Sequence, residues 1–258
     1  MSQAFSLYLP QESGLHRLHP LTKLLLAFFL LVCGLALPGV WAGYLAFALL
    51  VMPLALWGGV LRPLLRAVLR SVVPFAISLF LIQGFLWPRG TPIAAMGPVS
   101  LKLEGLLFAI RSTGRILMVV SSFLLLALTT RPDALALTLG QRGVPKSLTY
   151  IVVSTLQIVP RFQLKAATIL DAQQSRGLEI RGSLRRRVRA LVPLIAPLVL
   201  SSLVDIEERA MALEARAFSR KGPKTSLLVL HDTRPQQVGR WLLVLATASL
   251  LLARLFFV

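Results

Sequence analysis

The chain of 258 residues has little of what enzymes and carriers are built from. It holds one cysteine, three histidines and ten carboxylates, against 28 lysines and arginines. Cys33 lies inside an apolar run, so no intrachain disulfide can form, and the residue reads as a small packing group. His16, His19 and His231 lie near the two ends of the chain with no cysteine or carboxylate cluster beside them, so neither a metal nor another cofactor is expected. A phosphate loop is missing too. Gly143-Val144-Pro145-Lys146-Ser147 ends in Lys-Ser, but a proline stands where a glycine must precede the lysine. The apolar stretches hold no paired carboxylates for a proton relay, and Glu104 stands alone near the end of its helix. These absences argue against catalysis, nucleotide binding and ion-driven transport by this chain.

What it has in quantity is apolar surface and positive charge. The chain is 56% hydrophobic and 15% charged, its mean hydropathy is +0.75, and the apolar residues come in long runs. This predicts an all-α integral membrane protein. The formal net charge is +18, and the cations sit between apolar spans, where the positive-inside rule places them. Anionic lipids and an acidic protein partner are therefore the expected targets, and nucleic acid is not. No cleavable signal peptide is evident, because the first apolar run begins past residue 20 and further spans follow it.

Leu21 to Leu37 opens after Pro20, is apolar apart from Thr22 and Lys23, and stops at Pro38-Gly39; Val40 to Val60 follows. Each suits a ~30 Å hydrocarbon core at roughly 20 residues per span. The Pro38-Gly39 turn is uncharged, while Arg17 and Lys23 precede the first run and Arg62, Arg66 and Arg70 follow the second. That asymmetry predicts a cytoplasmic N-terminus in the inner (plasma) membrane. The three arginines, spaced by four, predict a short helix at the inner headgroup level. A third span from Val72 to Trp87, a Gly/Pro-rich loop from Pro88 to Pro98 and a fourth helix from near Ser100 to Thr130 come next. Arg111 and Arg115 on the fourth helix either snorkel to the outer headgroups or face a neighbouring protein.

Beyond Thr130, hydropathy misleads. If both Ser147–Pro160 and Val188–Val204 crossed the bilayer, Arg161, Lys165, Arg176, Arg181, Arg185, Arg186, Arg187 and Arg189 would lie outside, against only Asp171 and Glu179. Both segments are therefore expected on the cytoplasmic side, covered by each other and by the undersides of the spans. The chain then divides into a membrane domain with four transmembrane helices (1–131), a cytoplasmic helical domain (132–223) and a C-terminal stretch (224–258) whose span is Val238 to Val258. About five transmembrane helices result.

The cytoplasmic domain carries two short motifs forty residues apart, Ala172-Gln173-Gln174-Ser175-Arg176-Gly177 and Ala212-Leu213-Glu214-Ala215-Arg216-Ala217. In each, alanine and arginine are one helical turn apart on the same face. A small residue beside a long cation lets another surface approach, and a planar guanidinium suits an interfacial carboxylate. Spacing alone does not favour this over two basic residues on solvated helix ends. Ala134 to Leu139 is expected to be a short helix closed by Gly140 and Gly143-Val144-Pro145. One long helix is expected from Arg161 to Arg176, ending at Gly177. Another runs from Ser183 to Arg220, roughly 50 Å long, and ends at Gly222-Pro223. On it Asp205 and Arg209 form an i, i+4 pair, and Arg209, Arg216 and Arg220 share a face with Ala212.

These residues resemble the transmembrane T component of energy-coupling factor transporters. The opening Leu15-His16-Arg17-Leu18-His19-Pro20-Leu21-Thr22-Lys23, the Gly143-Val144-Pro145 turn and the two arginine motifs carry the resemblance, which extends over nearly the whole chain. The family's pair of Ala-Arg-Gly tripeptides falls here on Ser175-Arg176-Gly177 and Ala215-Arg216-Ala217, each with one departure. The resemblance implies a non-catalytic scaffold that couples ATP hydrolysis by two ATP-binding-cassette subunits to reorientation of a separate substrate-binding membrane subunit, for uptake of a vitamin or transition-metal ion. Ser175, Arg176, Gly177, Ala215, Arg216 and Ala217 would dock the ATPases, supported by Ala172, Arg209, Ala212 and Arg220. The alternatives are a permease subunit of a conventional ATP-binding-cassette importer and a membrane-anchored interaction protein without a transport role.

Overall fold

The structure, a computed structural model, describes residues 8–11, 13–87, 91–96, 99–178, 184–220, 222 and 232–257. Among them are eight helices: α1 (Pro20–Ala36), α2 (Ala42–Trp57), α3 (Leu61–Leu86), α4 (Leu103–Thr129), α5 (Pro132–Gln141), α6 (Lys146–Ser175), α7 (Leu184–Ala215) and α8 (Arg234–Phe257). Between α3 and α4, where a loop was expected, strands β1 (Pro92–Met96) and β2 (Val99–Lys102) pair antiparallel. The expectations placed on Pro88, Pro98, Glu179, Arg181, Ser183, Pro223, His231 and Val258 lie outside the described residues. The chain divides into two compact units, residues 6–149 with 230–258, and residues 150–229.

The first unit is a membrane bundle. Helices α3, α4 and α8 are long and apolar enough to cross a bilayer, and α1 and α2 are shorter apolar helices. The protein is thus an all-α integral membrane protein. Its core gathers Leu30, Val51, Leu64, Met118 and Leu125 from four helices. α3 packs chiefly on α4, while α1 lies against both α4 and α8. Polar side chains buried on α4 bond to their own helix: Ser121 Oγ donates to the Met118 carbonyl (3.1 Å) and Thr129 Oγ1 to Leu125 (2.7 Å). This satisfies hydroxyls where water is absent. α2 and α4 meet backbone to backbone, because a Cβ on Gly43 would stand 2.5 Å from the Gly114 carbonyl.

Two spans differ from the sequence reading. Arg62, Arg66 and Arg70 do not form a separate interfacial helix; they belong to the 26-residue α3. Leu64, Val68 and Val72 repeat at the same four-residue spacing and are buried, so one apolar row continues past the arginines without a break. α2 is not one regular helix over Val40–Val60. Phe47–Val51 winds as a π-turn just before Pro53. A proline cannot donate to the preceding turn and crowds its carbonyl, and the wider turn relieves both problems.

A polar tie joins the helix ends at the Lys23 side of the bundle. Lys23 Nζ, buried, donates to the carbonyls of His16 (3.0 Å) and Thr129 (2.8 Å). His19 caps α1 by accepting from Leu21 N–H (3.3 Å), and its own N–H donates to Gln236 Oε1 (2.9 Å). Asp232 bridges Arg142 (3.1 Å) and Arg240, and Arg240 lies 3.4 Å from His19 Nδ1. Burial, and then the Lys23 charge, lowers the His16 pKa below the ordinary 6.5. Burial also lowers His19, with Arg240 and Arg142 adding to it against the opposing pull of Asp232. Burial pushes the Asp232 carboxyl up, but the Arg240 hydrogen bond and the charges of Arg240, His19 and Arg142 hold it below the ordinary carboxylate value.

Candidate functional site

The second unit is built on α6 and α7. Both are long, at 30 and 32 residues, and neither is among the helices that, over the described residues, are long and apolar enough to cross a bilayer. α6 runs through Pro160 without stopping, so the two helices expected over Ser147–Pro160 and Arg161–Arg176 are one. Tyr150 and Phe218 bring their rings to 5.0 Å, and Lys165 pairs with Asp205 at 2.7 Å. The contacts run in opposite order along the two segments, so α6 and α7 are antiparallel. Asp205 therefore bridges to the other helix rather than to Arg209 one turn along.

The antiparallel arrangement sends the two arginines to opposite ends of the pair. Arg176 lies 26 residues beyond Tyr150, which is about 40 Å along a helix. Arg216, two residues from Phe218, stays near the Tyr150 end.

Both arginines occupy the same backbone position. At the first, Leu178 N–H bonds to the Gln173 carbonyl (3.0 Å) and Gly177 N–H to Gln174 (2.9 Å). At the second, Phe218 N–H bonds to Leu213 (2.9 Å) and Ala217 N–H to Glu214 (2.9 Å). This paired pattern closes a helix through one left-handed residue and puts the arginine at the cap. Gly177 takes φ +90° and Ala217 takes φ +54°. The second helix therefore ends at Ala217 itself, five residues before the expected stop at Gly222-Pro223. A left-handed alanine costs about 1–2 kcal/mol relative to glycine. The turn also removes Arg220 from the α7 row, since it falls past the cap with its N–H on the Ala217 carbonyl (3.1 Å).

Arg176 and Arg216 are exposed and have no ion pair among the described residues. Ala172 and Ala212, one turn before them, are also exposed. Ser175 turns its hydroxyl back to the Asp171 carbonyl (3.1 Å), and Glu214 accepts from Ser219 Oγ (2.5 Å). Each end thus offers an open guanidinium on a fixed cap with small neighbours. The surroundings differ: on α7 the exposed Glu208 lies beside the row of Arg209, Ala212 and Arg216, while Glu207 and Glu214 fall on the opposite side of the helix.

A third helix end carries an arginine too: its closure at Gly143 was expected from the sequence, but Arg142 was not singled out. Gln141-Arg142-Gly143 closes α5, with Gly143 at φ +105° and Val144 N–H on the Leu139 carbonyl (3.3 Å). Its arginine is already held by Asp232. The Arg-Gly dipeptide was the available signal; only the structure separates the occupied arginine from the open ones. Among the described residues, no three of His, Cys, Asp and Glu come together as metal ligands.

Residues 11–227 match the family described as CbiQ, cobalt transport protein. The chain belongs to that family. Within it, the chain is similar to proteins named energy-coupling factor transporter transmembrane protein EcfT. The Thermosediminibacter oceani protein is 29% identical over 242 residues, 88% of each chain. That of Heliobacterium modesticaldum is 31% identical over 222 residues, 82% of each. The Thermotoga maritima protein is 30% identical over 257 residues, 96% of this chain and 92% of that one. The CbiQ match ends at residue 227 and so takes in both arginine caps. These relatives make the chain a membrane component of a transporter.

Proposed function

We propose that the chain is the non-catalytic coupling scaffold of an energy-coupling factor importer, docking two ATP-binding-cassette subunits at Arg176 and Arg216. One observation carries this reading: two open arginines on identically built helix ends, about 40 Å apart. Each partner would present a carboxylate in a groove, paired to the guanidinium and closed against Ala172 or Ala212. A conventional permease needs one such contact per chain, which is why two favour the scaffold. Motion of the ATPase pair would pull on α6 and α7. Their exposed apolar residues, among them Ile151, Val152, Leu156, Val199, Leu200 and Leu203, would receive the separate membrane subunit that binds the vitamin or metal ion. With this topology the N-terminus and the α6–α7 unit are cytoplasmic.

Arg176→Glu and Arg216→Glu, made singly and together in the assembled transporter, test the reading. Truncating one partner of a desolvated charge pair costs about 2–5 kcal/mol, and charge reversal exceeds that. Each single variant should lose one ATPase subunit and the double variant both, with membrane insertion unchanged. A double variant that copurifies with two ATPase subunits and supports uptake would overturn the docking role.

A further inference from the structure

At the end of the membrane bundle opposite Lys23, three arginines gather without a counter-charge. Arg254 on α8 donates from Nη1 to the Leu35 carbonyl at the C-terminal end of α1 (2.9 Å). Lys23 bonds to the Thr129 carbonyl and Gly34 packs on Met118, so eleven residues of α1 match eleven of α4 in antiparallel register. Continued by three residues, that register sets Arg115 level with Leu37, where α1 stops. Arg111 is one turn further on, and the charges of both Arg111 and Arg254 act on Arg115. None of the three has an ion pair among the described residues. Glu104, on the same helix, is already taken by the Thr91 N–H (2.9 Å) and hydroxyl (3.1 Å). The α1 terminus supplies about half a negative charge, far less than three guanidiniums carry.

The surroundings indicate what supplies the rest. Tyr44, bonded to the Ile110 carbonyl (3.0 Å), and the exposed Trp41 set the interface level beside Arg111. Leu107, Phe108, Leu252, Leu255 and Phe256 are exposed around the arginines. Such an apolar skirt suits acyl chains and has no use for a free anion. We propose that Arg111, Arg115 and Arg254 bind the phosphodiester headgroup of an anionic glycerophospholipid in the leaflet on the Pro38 side.

The test uses the full-length chain in phosphatidylcholine nanodiscs with a small fraction of phosphatidylglycerol, with retained lipid read by native mass spectrometry. One phosphatidylglycerol should be held per chain. R111Q/R115Q/R254Q should weaken retention about a hundred-fold, at roughly 1 kcal/mol per arginine. R62Q/R66Q, toward the other end of the bundle, should leave this lipid in place. R111K/R115K/R254K keeps the charge and should retain it, which separates binding from misfolding, as does the single exposed R111Q with a partial loss. Unchanged retention in the glutamine triple, loss caused by R62Q/R66Q, or displacement of the lipid by inorganic phosphate would overturn the proposal.

Discussion

The two units differ in what they bury. The membrane bundle seals Leu15, Leu30, Val51, Leu64 and Met118 to 1% exposure or less. In the α6–α7 unit no described residue is buried, and Ile151, Leu164, Val192, Leu200 and Met211 are exposed. The sequence reading had these two helices cover each other's apolar faces. Instead, among the described residues, they touch through a ring pair and through Lys165, which reaches both Asp205 and the Ser201 carbonyl (3.3 Å), and many of their apolar residues stay exposed. A bundle with its own core holds its shape alone. A helix pair without one leaves its apolar residues available to a partner.

The largest effect should come from core truncation. Leu30→Ala or Met118→Ala should destabilise the purified chain by about 2–5 kcal/mol. Leu200→Ala on α7 should change it by less than about 0.5 kcal/mol while weakening assembly with the other subunits. Thermal unfolding in detergent and copurification measure the two. Equal loss of stability at Leu30 and Leu200 would erase the distinction between the units.

Next comes the backbone contact of α2 on α4. Gly43→Val forces a side chain into the Gly114 carbonyl and should cost about 1–3 kcal/mol, seen as a lower melting temperature, whereas Gly239→Val, which meets nothing within 4 Å, should not. The helix ends sharpen the comparison from the other side. Ala217→Gly should stabilise the α7 terminus by about 1 kcal/mol and Gly177→Ala should destabilise that of α6 by a similar amount, measurable as changed amide exchange around residues 213–218 and 173–178.

The smallest effect is that of pH, and it falls on the bundle. His16 and His19 have pKa values below the ordinary 6.5, so the unfolded chain takes up protons first as pH falls through that value. Stability is full above it and declines below it. Asp232, also lowered, loses its contribution only in stronger acid. The melting temperature of the bundle should drop from pH 7.5 to pH 5.5, and His19→Asn, which keeps a helix-capping side chain, should flatten that drop.

Much of this architecture was legible because hydropathy and charge report directly on a bilayer. Pro20, Arg131-Pro132 and Gly177 mark helix ends where they were expected. Less visible was continuity. Arg62, Arg66 and Arg70 look like an interruption until Leu64, Val68 and Val72 are seen to carry the apolar row past them. Pro160 looks like a break, yet α6 runs through it. The two candidate arginines stand out in the sequence by their paired motifs, but the left-handed conformation of Ala217 does not, because propensity argues against it. The tie of His19, Asp232 and Arg240 brings together residues more than two hundred positions apart, beyond the reach of local pattern.

The positions of the arginines also set a thickness. On α8, 13 residues separate Arg240 from Arg254; 15 separate Arg115 on α4 from Arg131, just past its end. Those stretches span about 20 Å and 23 Å at 1.5 Å per residue, against ~30 Å for an ordinary hydrocarbon layer. Lipids held at both of these arginine levels would meet a protein narrower than their own hydrocarbon layer. The surrounding leaflets must pinch inward, or the long cationic side chains must stretch outward, at a cost of fractions of a kcal/mol for each ångström. Any partner matched to the same narrow waist would relieve that deformation by lying alongside, so the membrane itself would help hold the two together.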